Sequence, residues 1–91
     1  MSLGALEIMS ARAGVYILND TSTYTGNVAA VVVLEDTIFN LLGDAKGNDK
    51  DDYIADSATA VKAGAIITPI DVNRPFNSID LTSGSVALVR Q

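Results

Sequence analysis

The chain contains no cysteine and no histidine. Without them, a Ser-His-Asp triad, a cysteine nucleophile, a typical zinc site and a histidine-ligated iron or copper site are all excluded. The glycine-rich sequences that cradle nucleotide phosphates are also absent. We therefore predict that the chain is not an enzyme, with no catalytic, cofactor-binding or metal-binding residues. The lack of cysteine also means that no disulfide supports the fold, which favours an intracellular site of folding.

Basic clusters and long apolar runs are missing as well. The net charge is −5, from 11 acidic and 6 basic residues, and no two basic residues are adjacent. Binding to nucleic acid or to an anionic membrane surface needs a concentration of positive charge, so neither partner is expected. No apolar run is long enough for a transmembrane helix, and no signal peptide is indicated. Residues 1–5 are expected to be disordered or derived from an expression tag.

The apolar residues that are present favour β-structure. Aromatic residues make up only 5% of the 91 residues, whereas hydrophobic residues make up 48%. The core must therefore be built from aliphatic side chains, and valine, isoleucine and threonine, which are abundant here, fit a pleated sheet better than a helix. Residues 1–91 are expected to form a single β domain. We predict an all-β fold, a compact sandwich or jelly-roll-like barrel of about 7–9 short strands.

The first half of the chain shows one dominant strand. Residues 28–34 (Val-Ala-Ala-Val-Val-Val-Leu) form a continuous apolar run, which indicates a strand covered on both faces. Residues 15–18 predict a second strand, and residues 6–9 are a candidate edge strand. Clusters of turn-forming residues at 19–22 and at Gly26-Asn27 predict turns before the dominant strand.

The middle of the chain contains one ambiguous segment and one polar segment. Residues 34–42 fit either a strand or a short helix, and we favour a strand because so short a helix is marginal. Residues 43–52 are almost without apolar side chains, and they predict an exposed, mobile loop.

The C-terminal third predicts regular β-structure. Residues 57–62, 65–70, 76–81 and 86–89 are expected to be strands. Residues 82–85 are expected to close a hairpin between the last two strands. Alternation would place Phe76 on one face of its strand, and Ile79 and Leu81 on the other. The residues predicted to be largely buried are Val31, Val33, Ile66, Ile79, Leu81, Val86 and Leu88.

Three groups of side chains could carry chemistry, and each has a simpler structural explanation. The adjacent carboxylates of Glu35 and Asp36 would point to opposite faces of a strand, so they do not form an acid–base pair. The tyrosines at positions 16, 24 and 53 could stack on a sugar, but isolated tyrosines usually lie at the edge of a core. The aspartates at positions 44, 49, 51, 52 and 56 could bind calcium weakly, although their spacing does not fit an EF-hand.

Residues 62–70 (Lys-Ala-Gly-Ala-Ile-Ile-Thr-Pro-Ile) and 74–88 (Arg-Pro-Phe-Asn-Ser-Ile-Asp-Leu-Thr-Ser-Gly-Ser-Val-Ala-Leu) are the most family-like segments. They resemble small structural or assembly proteins of tailed phages, of the marine phage and prophage type, and residues 33–39 are similar to the middle of those chains. The resemblance implies a non-catalytic role in the virion, after assembly in the host cytoplasm. It also implies that the chain is a homo-oligomer, with a trimer as one option, that contacts other virion proteins. The alternative is a carbohydrate- or protein-binding β module.

The Ala-Gly-Ala-Ile-Ile sequence at residues 63–67 also resembles cupin-like jelly rolls. Cupin enzymes hold their metal mainly through histidine, and this chain has none. The resemblance therefore implies at most a shared architecture, without the metal chemistry.

The apolar run at residues 28–34 also predicts self-association. Val31 and Val33 should point to one face of the strand, and Ala30, Val32 and Leu34 to the other. Only one of these sets can face the core of a small sandwich, and soluble monomers seldom expose a contiguous apolar patch. We expect a second subunit to cover the other set, unless the N-terminal segment or residues 35–56 fold over it.

Overall fold

The computed structural model describes residues 14–91, which form a mostly β, antiparallel structure with one short helix. The predicted all-β class is therefore confirmed. The proposed edge strand at residues 6–9 and the expectation for residues 1–5 lie outside the described part of the chain. The strands are β1 (Val15–Leu18), β2 (Tyr24–Val33), β3 (Ile38–Asp44), β4 (Ile66–Ile67), β5 (Phe76–Ser83) and β6 (Val86–Arg90), and the helix is α1 (Lys50–Tyr53). Within this range, no helix has the length and hydropathy needed to cross a bilayer.

Strand β2 organises the sheet. The strand order is β1-β6-β2-β5-β3, with β4 also paired to β2. The first part of β2 pairs with β5 and the second part with β6, and the pairing is interrupted by a bulge between Thr25 and Val28. Gly26 lies in this bulge with a φ of +148°, a conformation that favours glycine. The predicted turn at Gly26-Asn27 is thus wrong, because these residues bend a continuous strand.

The main core joins side chains from strands throughout the sheet. Phe39, Leu42 and Ile79 from β3 and β5 pack in one buried cluster with Val31 and Leu88 from β2 and β6. The strand pairing follows one path from β1 to β3, within a single antiparallel sheet. The described residues therefore contain six strands, fewer than the 7–9 predicted, and no clear barrel.

The core prediction is correct at every residue but one. The buried members are Val31, Val33, Ile79, Leu81, Val86 and Leu88. Ile66 is 41% exposed, because it is paired with Val32 on the short strand β4 and points away from the main core. Its neighbour Ile67 packs against the main core instead.

The other face of β2 is also buried within the single chain. Ala30 and Val32 form a second apolar cluster with Ala87 and Val89 of β6, and none of the four is more than 6% exposed. Leu34, which follows β2, is 43% exposed. Covering the Ala30 and Val32 face therefore requires no second subunit, so this face no longer gives a reason to predict self-association.

The C-terminal third is less regular than predicted. Residues 57–62 contribute only an isolated bridge between Val61 and Thr37, and the strand predicted at 65–70 is reduced to β4. Strands β5 and β6 are joined by a tight turn but pair with other strands, so residues 82–85 do not close a hairpin. Phe76 lies in the same core as Ile79, because a bulge after Phe76 shifts the alternation of β5.

The middle of the chain contains more regular secondary structure and more hydrogen bonds than its polar sequence indicates. Residues 38–44 form β3, which confirms the preferred strand assignment for the ambiguous segment. Residues 43–52 were expected to be an exposed loop, but Asp44 ends β3 and is only 5% exposed. Asp49 caps α1, and its side chain and that of Asp52 form a capping box. The mobility expected for this segment stays a prediction.

Candidate functional site

The loop between β4 and β5, residues 68–75, presents large apolar side chains to solvent. Ile70 is 59% exposed and Val72 is 77% exposed, the highest value among the large hydrophobic residues between positions 14 and 91. Isolated exposed apolar residues are ordinary, but this loop carries two of them together with Pro69 and Pro75. We call residues 68–75 the apolar loop.

A shallow cleft lies beside the apolar loop. Its volume is about 270 Å³, just below the range of about 300–1,000 Å³ that is usual for small-molecule sites. Its lining is mostly apolar and contains no charged side chain, with Thr68 and Gln91 as the polar residues, so it could accommodate an apolar side chain of a partner. The residues that line it are Ala29, Thr68, Pro69, Val72, Pro75 and Gln91.

Hydrogen bonds fasten the apolar loop to the rest of the fold. The backbone N–H of Ile70 donates to the hydroxyl oxygen of Tyr53 at 3.1 Å. The Tyr53 hydroxyl in turn donates to Oδ2 of Asp44 at 2.5 Å. At the far end, the backbone N–H of Ala45 donates to the carbonyl oxygen of Pro75 at 2.9 Å. The backbone of the loop is therefore bonded to the segment after β3 at two points, Ile70 and Pro75.

Asp44 is the centre of this support. One of its carboxylate oxygens accepts the backbone N–H groups of Lys46 and Asn48, each at 2.9 Å. The other accepts the Asn48 side-chain amide in addition to the Tyr53 hydroxyl. Burial alone would raise the pKa of Asp44, but these hydrogen bonds outweigh it and lower the pKa to about 2. Burial and the bond to Asp44 raise the pKa of Tyr53 to about 12, so the pair holds one proton, on Tyr53.

Within residues 43–52, Asp44, Asp49 and Asp52 accept hydrogen bonds from the chain itself. Oδ1 of Asp49 accepts the backbone N–H of Leu42 at 3.0 Å and that of Lys50 at 2.6 Å. The bond from Leu42 is the main reason that the pKa of Asp49 is lowered. Across residues 14–91, no three acidic side chains converge in a way that could hold a metal ion. These carboxylates therefore act as acceptors for the backbone of the chain itself.

The neighbouring carboxylates Glu35 and Asp36 also have separate structural partners. Glu35 accepts a hydrogen bond of 2.6 Å from the Ser85 hydroxyl. Asp36 accepts the backbone N–H of Ala63 at 3.0 Å and contacts the Lys62 ammonium group at 3.3 Å. The bond from Ala63 is the largest cause of the lowered pKa of Asp36. Neither arrangement pairs two carboxylates across a space where a substrate could bind.

The structure divides the three tyrosines between two places. The rings of Tyr16 and Tyr24 are in contact, with centroids 4.9 Å apart and planes inclined by 37°. Tyr53 lies elsewhere, against Phe76 at 5.1 Å. A platform of three tyrosines is therefore not formed, but Tyr16 and Tyr24 do make a partly exposed aromatic pair.

Two features of the structure are not evident from the sequence. The apolar loop overlaps the strand predicted at residues 65–70, although Pro69 and Pro75 mark the limits of a connection. Gly84 has a role beyond that of a turn residue. Its φ is +95°, and a Cβ atom there would clash with Oγ1 of Thr37, so only glycine fits where the β5–β6 turn meets the β2–β3 connection.

Comparison of the chain with protein-family models, with curated proteins and with solved structures finds no match.

Proposed function

We propose that this chain is a non-catalytic structural or assembly module of a tailed-phage virion, assembled in the host cytoplasm. It works by binding copies of itself and other virion proteins. The support from the sequence is the strand-and-turn resemblance of residues 62–70 and 74–88 to such proteins. Those residues include β4, β5 and part of the apolar loop, with the exposed Ile70 but not Val72.

The apolar loop is the observation that carries this proposal. Val72 and Ile70 are exposed, while the backbone of the loop is hydrogen-bonded to Tyr53 at Ile70 and to Ala45 at Pro75. A surface that is apolar and already held in position loses little conformational freedom on binding, which favours association. Burying a side chain such as Val72 against a partner contributes about 1.5–3 kcal/mol.

Measurement of the mass in solution tests the proposal directly. Sedimentation velocity of the wild-type chain at tens of micromolar should show species heavier than one chain. Val72→Asp places a charge on the apolar loop and should lower the average mass, because a buried unpaired charge is strongly unfavourable. A wild-type chain that sediments as a monomer would refute the homo-oligomer.

Two further variants, one at Asn73 and one at Val72 itself, serve as controls for Val72→Asp. Asn73→Asp adds the same charge one residue away, at an exposed polar position, and should leave the mass unchanged. Val72→Thr nearly conserves the shape of the side chain without adding charge, and should have a smaller effect than Val72→Asp. Equal effects of Val72→Asp and Asn73→Asp would show that net charge, and not the apolar loop, controls association.

A carbohydrate-binding module is the second candidate, and the contact between Tyr16 and Tyr24 favours it. Tyr16 is 42% exposed, so part of its ring is available to stack on a sugar. Titration with neutral oligosaccharides, followed by tyrosine fluorescence, should show saturable binding if this alternative holds. Tyr16→Phe should retain stacking and Tyr16→Ala should abolish it, whereas identical behaviour of the two variants would exclude a stacking site.

A further inference from the structure

We propose that β1 is the self-association edge of this protein, where it pairs antiparallel with β1 of a second copy to form a two-fold dimer. This inference deepens the proposed homo-oligomer and rests on it. It identifies a second contact between copies of the chain, in addition to the one through the apolar loop.

The hydrogen-bond pattern shows which backbone groups of β1 face outward. The N–H of Arg90 donates to the carbonyl oxygen of Gly14 at 2.9 Å, so Gly14 and Arg90 are a hydrogen-bonded pair. Such pairs alternate along an antiparallel ladder, which makes Tyr16 and Leu18 the next residues bonded to β6. The N–H and C=O groups of Val15 and Ile17 therefore point away from β6, toward the edge.

The composition of β1 suits pairing with another strand. The sequence Val-Tyr-Ile-Leu has no charge, no proline and no glycine, whereas natural edge strands usually carry charged or proline residues that prevent such pairing. Tyr16 and Ile17 are 42% and 49% exposed on opposite faces of the sheet. Pairing would cover both side chains as well as the outward backbone groups.

The opposite edge of the sheet is closed by its own chain. Along the outer side of β3, the N–H of Leu42 donates to the Asp49 carboxylate and that of Asp44 to the carbonyl oxygen of Asn48. At the start of β3, Thr37 and Val61 exchange both of their backbone hydrogen bonds. Strand β4 has only two residues. Among the described strands, β1 is thus the edge best suited to an added strand.

The outward groups of β1 select one register for the dimer. Both Val15 and Ile17 can bond simultaneously only if Val15 faces Ile17 of the partner subunit and Ile17 faces the partner subunit's Val15. This register makes four backbone hydrogen bonds, and the two-fold axis passes beside Tyr16. Tyr16 then faces Tyr16 of the partner subunit as a non-hydrogen-bonded pair, with Cα atoms about 4.5 Å apart.

Cysteine cross-linking tests this register, since the chain has no native cysteine to interfere. Tyr16→Cys should form a disulfide-linked dimer rapidly under mild oxidation, because a Cα separation of about 4.5 Å lies within the range that a disulfide spans. Ile17→Cys is the matched control, adjacent and similarly exposed. Its Cα atom would lie about 8 Å from that of the partner's copy, too far for a disulfide without movement of the backbone.

A second variant tests the backbone pairing itself. Ile17→Pro removes an N–H that points outward, so β1 can stay bonded to β6 while the contact with the partner is lost. Added to Tyr16→Cys, it should reduce the initial rate of cross-linking at least tenfold while the far-ultraviolet circular dichroism spectrum stays unchanged. Tyr16→Cys and Ile17→Cys dimers forming at equal rates would overturn the register, and cross-linking insensitive to Ile17→Pro would overturn the strand pairing.

These outcomes separate the dimer edge from the broader function. Wild-type oligomers without preferential cross-linking at Tyr16→Cys would overturn the β1 contact but leave the oligomeric module intact. A strictly monomeric wild type together with random cross-linking would overturn both.

Discussion

The two edges of the sheet are built in different ways. Strand β3 is bordered by the segment that follows it, and Asp49, Asn48 and Val61 accept or exchange its outward hydrogen bonds. Strand β1 carries four uncharged residues at the other end of the sheet. The polar sequence between β3 and β4 thus has a structural role, because the Asp49 carboxylate and the Asn48 carbonyl group satisfy backbone N–H groups of β3 that would otherwise be available to another strand.

The largest expected difference between the two edges is in stability. Ile79 lies on β5, beside β3, and is completely buried, so Ile79→Ala should lower the free energy of unfolding by about 2–5 kcal/mol. Ile17 lies on β1 and is half exposed, so Ile17→Ala should cost under about 1.5 kcal/mol. Urea unfolding followed by circular dichroism measures both. Similar losses of unfolding free energy in the two variants would mean that β1 contributes as much to stability as β5 does.

The pH dependence of stability tests the contribution of the Asp44 carboxylate, which lies at the end of β3. The pKa of Asp44 is about 2 in the folded state and 3.8 without the fold, so the unfolded state binds more protons between these values. The stabilisation by Asp44 is therefore complete above this window and is lost as the pH falls through it. Asp44→Asn should cost about 1–3 kcal/mol at neutral pH, because the donors around it lose a charged acceptor.

The Asp44→Asn variant should also lose less stability on acidification than the wild type. Asp51→Asn is the control, since Asp51 is an exposed aspartate of α1. Chemical unfolding at a series of pH values gives the comparison. Parallel stability curves for Asp44→Asn and wild type would show that Asp44 does not control the acid sensitivity.

Removal of the Asp49 carboxylate should partly open the β3 edge. Asp49→Ala eliminates the cap of α1 and the acceptor for the Leu42 N–H, and should cost about 0.5–2 kcal/mol. Amide hydrogen exchange at Leu42 should accelerate, whereas exchange in β6 should change little. If Leu42 remains as protected as in the wild type, Asp49 does not close this edge.

A charge on β1 should have the smallest effect on stability of the variants considered, but it should clearly weaken association. Ile17→Lys places a charge on an exposed edge position, so the free energy of unfolding should change by less than about 0.5 kcal/mol. Dimerisation through β1 should nevertheless weaken, as measured by cross-linking of Tyr16→Cys. Thr82→Lys, at an exposed position of β5, is the control. A loss of folding in Ile17→Lys would contradict the assignment of β1 as a peripheral edge.

Much of the strand content could be predicted from local sequence. The valine-rich run of β2 and the apolar residues of β1 and β6 predict strands because β-branched side chains fit a pleated sheet, whatever their partners. The bulges could not be predicted in the same way. Gly26 looks like a turn residue, and only the separate pairing of β2 with β5 and β6 explains why the strand continues through it.

The candidate functional features were less accessible to sequence reasoning. The tyrosines and aspartates could be identified as polar groups of interest, but their partners are distant in sequence. Tyr53 meets Asp44 and the backbone of Ile70, and Tyr16 meets Tyr24, only after the chain has folded. The exposure of the apolar loop likewise depends on where β4 ends.

The amino-acid sequence by itself determined the absence of histidine and cysteine chemistry, the acidic charge and the β class, because these follow from composition and local alternation. Only the tertiary structure decided which side chains face which layer. A single bulge reverses the alternation, so Phe76 enters the core with Ile79, and the short pairing of β4 leaves Ile66 outside it. Pairing between distant strands also decided that β3 and β1 lie at the edges of the sheet, where Asp49 borders β3 and β1 presents Val15, Tyr16, Ile17 and Leu18.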